Sequence, residues 1–240
     1  MQPKPVVPRE PPKRAPGKKA RTPKPLSIPL DAPPAIAAQL KQLQQAFADV
    51  CNAIEPTMRA TRCWNRVALH HLVYRSLRER FPQLGSQMIC NAIHLVSRTC
   101  RIIFQSPASP LNIARLGERP LPQMRFAADA PVFFDRHTLS IRNGIVSMLT
   151  LDGRIRFRLS ISEADEQRFR QERLREILLL SQSDQFLLRF VFAAEGDDAE
   201  PPARKATAAK ATAAKAELPE YVVLLDEGAT DQVKELGEVA

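Results

Sequence analysis

The period of the apolar residues changes once along this chain, and that change constrains the fold more than any single motif. Between residues 35 and 104 apolar side chains recur at steps of three and four; from residue 126 they alternate, interrupted by Asn143-Gly144 and Asp152-Gly153. Steps of three and four trace one face of a helix, and alternation traces one face of a strand. Asn-Gly and Asp-Gly between alternating runs are strong hairpin signals, because the two-residue turn that suits strand twist needs positive φ. The chain therefore reads as α+β, with a helical unit followed by a β-meander.

The helical unit divides into three. Asp31, Pro33 and Pro34 mark a helix start, after which Ile36, Leu40, Leu43, Phe47, Val50, Cys51 and Ile54 form one stripe, with Pro56 as its expected end. Val67, Leu69, Leu72, Val73 and Leu77 carry a second helix that closes near Phe81-Pro82. Ser86 is the expected N-cap of a third, whose stripe is Ile89, Ile93, Val96, Cys100 and Ile103. Residues 105–125, with Pro107, Pro110, Pro120 and Pro122, read as a connector.

Leu26, Ile28 and Leu30 alternate ahead of the first helix and read as a strand. Beyond the meander, residues 163–175 read as a polar helix, and the runs Ile177–Leu180 and Phe186–Phe192 as a closing hairpin. After Ala194 the period is lost. Residues 205–216 are the repeat KATAAKATAAKA, a low-complexity linker, and Tyr221–Leu225 is an isolated strand candidate.

Charge follows the same divisions. The net charge is +9, but residues 1–25 carry eight basic side chains, one acid and eight prolines, whereas residues 195–240 carry five basic and eleven acidic side chains. The first segment reads as a disordered basic arm, which serves either as a phosphate-binding tail or as a solubilising extension; the last reads as an acidic tail. Residues 26–194 are basic in their own right, and their cations are 21 arginines and one lysine, Lys41. Arginine offers a planar fork that grips phosphate bidentately and stacks on bases, which lysine does not.

Chemistry of other kinds is not supported. Cys51, Cys63, Cys90 and Cys100 lack C-x-x-C spacing and fall in helical patterns, so they read as reduced thiols. His70, His71, His94 and His137 make no metal signature, and no P-loop, G-x-S-x-G or H-E-x-x-H occurs. Asp226 ends a short apolar strand as the first carboxylate of an RNase H-type nuclease would, but two-metal cleavage needs further carboxylates that the remaining chain does not supply. The expectation is a chain without catalytic residues, metal or cofactor. No apolar run of about 18 residues is present, and Pro and Lys occupy the N-terminus, so neither a membrane span nor a signal peptide is expected and the cytoplasm is the expected location.

The sharpest local pattern is Arg154, Arg156 and Arg158 alternating with Ile155, Phe157 and Leu159. On a strand the three guanidinium groups share one face at about 6.7 Å intervals. Such a comb suits a phosphate backbone; it also suits an edge strand charged against unwanted pairing. Arg75 with Arg78, and Arg98 with Arg101, add two i, i+3 pairs on the second and third helices.

The runs LSIPLDAPPAIAAQLKQLQQAFADVCNAI, WNRVALHHLVYRSLRERFPQLGSQMICNAIHLVSRTCR, FDRHTLSIRNGIVSMLTLDGRIRFRLSI and FLLRFVF, spanning about residues 26–193, resemble the N-terminal half of TnpB-like (OrfB) proteins. These are RNA-guided nucleases of insertion sequences, related to type V CRISPR effectors. Asn65, Leu69, His70, Tyr74, Arg78 and the Leu151–Ile155 hairpin carry the resemblance most specifically. It implies a helical recognition lobe, residues 35–104, inserted after the first strand and helix start (26–34, the strand being Leu26–Leu30) of a small antiparallel wedge β-barrel completed by residues 126–194. It further implies that Arg154, Arg156, Arg158, Arg75, Arg78, Arg98 and Arg101 contact RNA or a guide–target heteroduplex. Tyr74 and Trp64 stand between base stacking and a core role.

Family nucleases continue into an RNase H-like domain with three acidic residues and a C-x-x-C zinc ribbon, and this sequence has neither. The expectation is an RNA-binding, nuclease-deficient protein whose partners are a structured guide-type RNA and target DNA reached through it. Two alternatives stand beside it: a truncated remnant without a retained role, and the binding half of a split nuclease whose catalytic half is encoded separately.

Overall fold

The computed structural model describes residues 23–142, 144–182, 185–193 and 218–225. Most of the basic arm, Asn143 of the first hairpin turn, the KATAA repeat and Asp226 lie outside the described residues.

Strand β1 (Leu26–Pro29) leads into the helices α1 (Pro34–Thr61), α2 (Arg66–Arg80) and α3 (Ser86–Cys100), the last extended by a π-helical turn, Arg101–Gln105. The connector holds one short helix, α4 (Ile113–Leu116), which Asn112 caps by accepting from the Ala114 N–H at 2.9 Å. Strands β2 (Gln123–Phe126), β3 (Val132–Phe134), β4 (Leu139–Arg142), β5 (Ile145–Thr150) and β6 (Gly153–Arg158) follow, then α5 (Glu163–Gln171), β7 (Leu174–Gln182), β8 (Gln185–Phe192) and β9 (Val222–Leu225).

α1 runs through Pro56 instead of ending there. Proline removes one i to i−4 bond and crowds that carbonyl, a cost of about 3 kcal/mol in an isolated helix. Tertiary packing offsets it, because Met58 beyond the proline is fully buried. The helix ends at Arg62, in left-handed conformation with φ 50°, whose guanidinium donates to the Gly117 carbonyl at 2.6 Å and to that of Arg119.

On α2 the buried stripe is narrower than the sequence pattern. Leu69, Val73 and Leu77 are buried, at strict steps of four, while Val67 is 65% and Leu72 52% exposed. Asn65 caps this helix, accepting from the Val67 and Ala68 N–H groups at 3.0 and 3.1 Å. α3 has Gly85 at the cap and Ser86 as its first helical residue, so Ser86 does not cap it.

The described strands form three separate antiparallel sheets and no closed barrel: β1-β8-β7-β3, β2-β9 and β4-β5-β6. The expected barrel would need β4 or β6 to pair with the four-stranded sheet, and both instead remain edges. β1 pairs with β8, from Leu26 opposite Phe190 to Pro29 opposite Leu187, so the helices are inserted in the chain between two partners of one sheet. Strand Val222–Leu225 is not isolated, since it pairs with β2, Gln123 opposite Leu225 and Phe126 opposite Val222.

Helices and sheets share one continuous core, in which Phe47, Phe104, Phe126, Phe190 and Phe192 are fully buried. Polar side chains of the helices join them to the sheets. Asn52 and Glu55 of α1 reach the β2 backbone, and Asn91 of α3 donates to the Phe133 carbonyl at 3.0 Å. Burial pushes the Glu55 carboxyl above its ordinary range, against the downward pull of the Met124 N–H and Arg59.

Candidate nucleic-acid interface

β5 and β6 create the site's floor. Their register places Arg154 opposite Leu149, Arg156 opposite Ser147 and Arg158 opposite Ile145. β4 continues these rows, with Ser140 opposite Ser147 and Arg142 opposite Ile145. Period two then divides the sheet cleanly. Val146, Met148 and Leu139 are buried on one face, with Ile155 and Phe157 packed against the core, while Arg154, Arg156, Arg158 and Arg142 are exposed on the other. The central row is Arg156, Ser147 and Ser140, so small hydroxyls flank this guanidinium group, while Leu149 and Ile145 stand beside Arg154 and Arg158.

The hairpin turn sits one residue earlier than the Asp152-Gly153 pair suggests. Thr150 pairs with Gly153, Leu151 and Asp152 form the turn, and Gly153 takes φ 104°. The arginine face is unchanged by this shift, because both registers preserve parity, but the partner of each arginine moves along by two residues.

Within the comb the arginines differ. Arg154 leans toward β4, its Nη1 3.4 Å from the His137 carbonyl and 3.5 Å from that of Thr138. Arg156, Arg158 and Arg142 make no side-chain hydrogen bond or ion pair among the described residues. A flat face carrying three cations without a counter-charge attracts polyanions, and bidentate phosphate contacts are open to it.

The helix arginines named by the sequence are placed differently. Arg75 is exposed and faces Glu79 at 3.4 Å, an exposed pair of small energetic weight. Arg78 donates to the Leu84 carbonyl, locking the turn between α2 and α3, and Gly85 of that turn lies against Leu149, the partner of Arg154. Arg98 pairs with Glu176 of β7 and lies 5.7 Å from the Phe133 ring centre, joining α3 to the four-stranded sheet. Arg101 is exposed and donates to Ser97 Oγ at 3.1 Å. Tyr74 is half-buried and stacked on His70, with ring centres 4.5 Å apart. Trp64 is 7% exposed beside Phe104, a core position.

Arg142, Ser140 and Ser147 complete the face, and reading the sequence residue by residue does not single them out. The signal that would have found them is strand register: a two-residue Asn143-Gly144 turn already sets Arg142 opposite Ile145.

No group of three or more His, Cys, Asp or Glu able to hold a metal occurs among the described residues. The cysteines are free thiols; Cys51 and Cys100 are fully buried, and burial pushes both well up. No helix among the described residues is long and apolar enough to cross a membrane. No protein-family model and no curated protein matches this chain.

Proposed function

We propose that this protein binds nucleic acid, RNA foremost, through the face formed by Arg154, Arg156 and Arg158 of β6 together with Arg142 of β4. The observation that carries the reading is the row geometry: guanidinium groups without counter-charges among the described residues, spaced at the period of a strand, on a sheet whose reverse side is core. The arginine bias of residues 26–194, 21 arginines against Lys41 alone, supports it. Such a surface reads backbone shape and carries no base-specific pattern of its own, so sequence selectivity would come from the RNA.

The resemblance to TnpB-like proteins extends this reading to a guide-type RNA, and to DNA reached through it, in a protein that does not cut. Sequencing RNA that co-purifies with the protein from its host tests both levels. One enriched structured RNA is expected; bulk fragments alone would remove the guide-type reading while leaving general RNA affinity to be measured by titration.

A second reading is favoured by one observation: β6 pairs only with β5 among the described residues and so ends its sheet. Charge on an edge strand opposes edge-to-edge association. On this reading, arginine-to-alanine changes cause self-association and leave RNA titrations unaltered.

A further inference from the structure

A second feature lies on the opposite edge of the same sheet. A cleft of about 1080 Å³ runs along β4 between that strand, α5 and β7. Part of its wall is apolar: Ile141, Ile161 and Phe169 are half-buried and Leu174 is exposed, from four separate segments of chain converging on one space. Phe169 is held in place by edge contacts with Phe190 and Phe192, at centre distances of 4.9 and 5.6 Å. At that size the cleft slightly exceeds the range for small-ligand sites, about 300–1,000 Å³.

Its rim is cationic. Arg136, Arg142, Arg170 and Arg175 line it against two carboxylates, Asp135 and Glu166. Both carboxylates are engaged. Asp135 accepts from the His137 and Thr138 N–H groups, each at 3.0 Å, and Glu166 pairs with Arg170 at 3.2 Å. An apolar wall beneath guanidinium groups matches a flat, weakly polar body that carries an anion.

Arg142 connects this cleft to the comb. It lines the cleft and also stands in the cross-strand row of Arg158, separated from it only by Ile145. A strand laid across that row would pass from Arg158 over Ile145 to Arg142 at the edge of the sheet, and would turn over that edge to reach Ile141, which alternates to the other face of β4.

From this continuity we infer that the β4–α5–β7 cleft is a nucleotide site, its apolar wall taking an unstacked base and its arginine rim the phosphate. The inference rests on the nucleic-acid reading above and deepens it: the comb holds backbone of any shape, and the cleft selects single-stranded over duplex RNA. A paired base cannot leave its stack without an unpairing cost of a few kcal/mol, so duplex RNA is held by the comb alone.

The test uses the full chain and three probes: a single-stranded RNA with one internal 2-aminopurine, the same RNA as a duplex, and free AMP. The variants are R136A/R170A, which removes two of the four rim arginines without touching the comb, and E166K, which replaces the carboxylate paired with Arg170 by a cation. R136A/R170A is expected to weaken single-strand binding about tenfold, to abolish the rise in 2-aminopurine emission, and to leave duplex binding unchanged. E166K is expected to strengthen single-strand binding. AMP binding lost in R136A/R170A, with single-strand binding unaffected, would identify a free nucleotide as the occupant. If neither AMP nor single-strand binding responds to either variant, the cleft is overturned while RNA binding stands. If the unaltered protein binds no RNA, the underlying reading fails instead.

Discussion

Asn52 of α1 and Phe126 of β2 hold each other by two hydrogen bonds, the Phe126 N–H to Asn52 Oδ1 at 2.7 Å and Asn52 Nδ2 to the Phe126 carbonyl at 3.0 Å. The side-chain amide takes the place of a neighbouring strand. β9 occupies the other edge of β2, with the Ala127 N–H donating to the Tyr221 carbonyl at 3.0 Å. A helix residue thereby completes a two-stranded sheet and fuses the helical and β parts into one core.

Asn52→Ala should lower the unfolding free energy by about 2 kcal/mol, because two backbone groups of β2 lose their partner at a partly buried site. Denaturant titration followed by circular dichroism measures it. Asn52→Asp keeps the acceptor for the Phe126 N–H but sets a carboxylate oxygen against the Phe126 carbonyl, so it should regain stability relative to Asn52→Ala at acid pH, where a protonated carboxyl can donate, and lose it as the carboxyl ionises.

Glu55 should make stability fall as pH rises. Its folded pKa is raised by burial, so the native state keeps a proton over a range where the unfolded chain has released it. The stabilisation is complete below the ordinary carboxylate pKa and is lost as pH climbs through the raised one. Glu55→Gln retains an oxygen for the Met124 N–H, which approaches Glu55 Oε1 at 3.2 Å. The difference in unfolding free energy between the two proteins, followed from pH 4 to pH 8, should therefore move in favour of the glutamine variant as pH increases. A difference independent of pH would show that Glu55 keeps its unfolded-state pKa.

Changing Arg154, Arg156 and Arg158 together to alanine should weaken RNA binding and reduce the slope of log K against log salt by about 2, the loss expected for three phosphate contacts to a single strand. The melting temperature should change little, since these side chains are exposed. An unaltered slope would remove the comb from the interface.

Cys51 and Cys100 should resist alkylation in the native protein and react only on unfolding, being fully buried with thiols pushed well up. Cys63 and Cys90 are half-buried, and these two should label first. Burial also raises the Cys90 thiol, so Cys90 labelling should need alkaline pH. Mass spectrometry of iodoacetamide-treated native protein reads out all four sites.

Much of this fold is legible in the sequence because local periodicity is a local property. The stripe Leu40, Leu43, Phe47, Val50, Cys51, Ile54 is buried as the helical period requires, and the alternation Arg154 to Leu159 divides faces as a strand must. Long-range partnership is not local. Nothing in Tyr221–Leu225 names β2 as its partner across the KATAA linker, and nothing in Arg98 reveals that Glu176 awaits it.

The face bearing the comb was thus determined by sequence alone, since strand period sends every second side chain to the same side whatever the register. Its surroundings were decided by tertiary structure. The turn at Leu151-Asp152 chose which residue faces each arginine, packing of Met58 carried α1 past Pro56, and the separation of the sheets left an open cleft where a closed barrel was expected. Sequence encodes periodicity in neighbouring residues; pairing and closure depend on contacts between residues far apart in the chain, whose energies only the assembled core can sum.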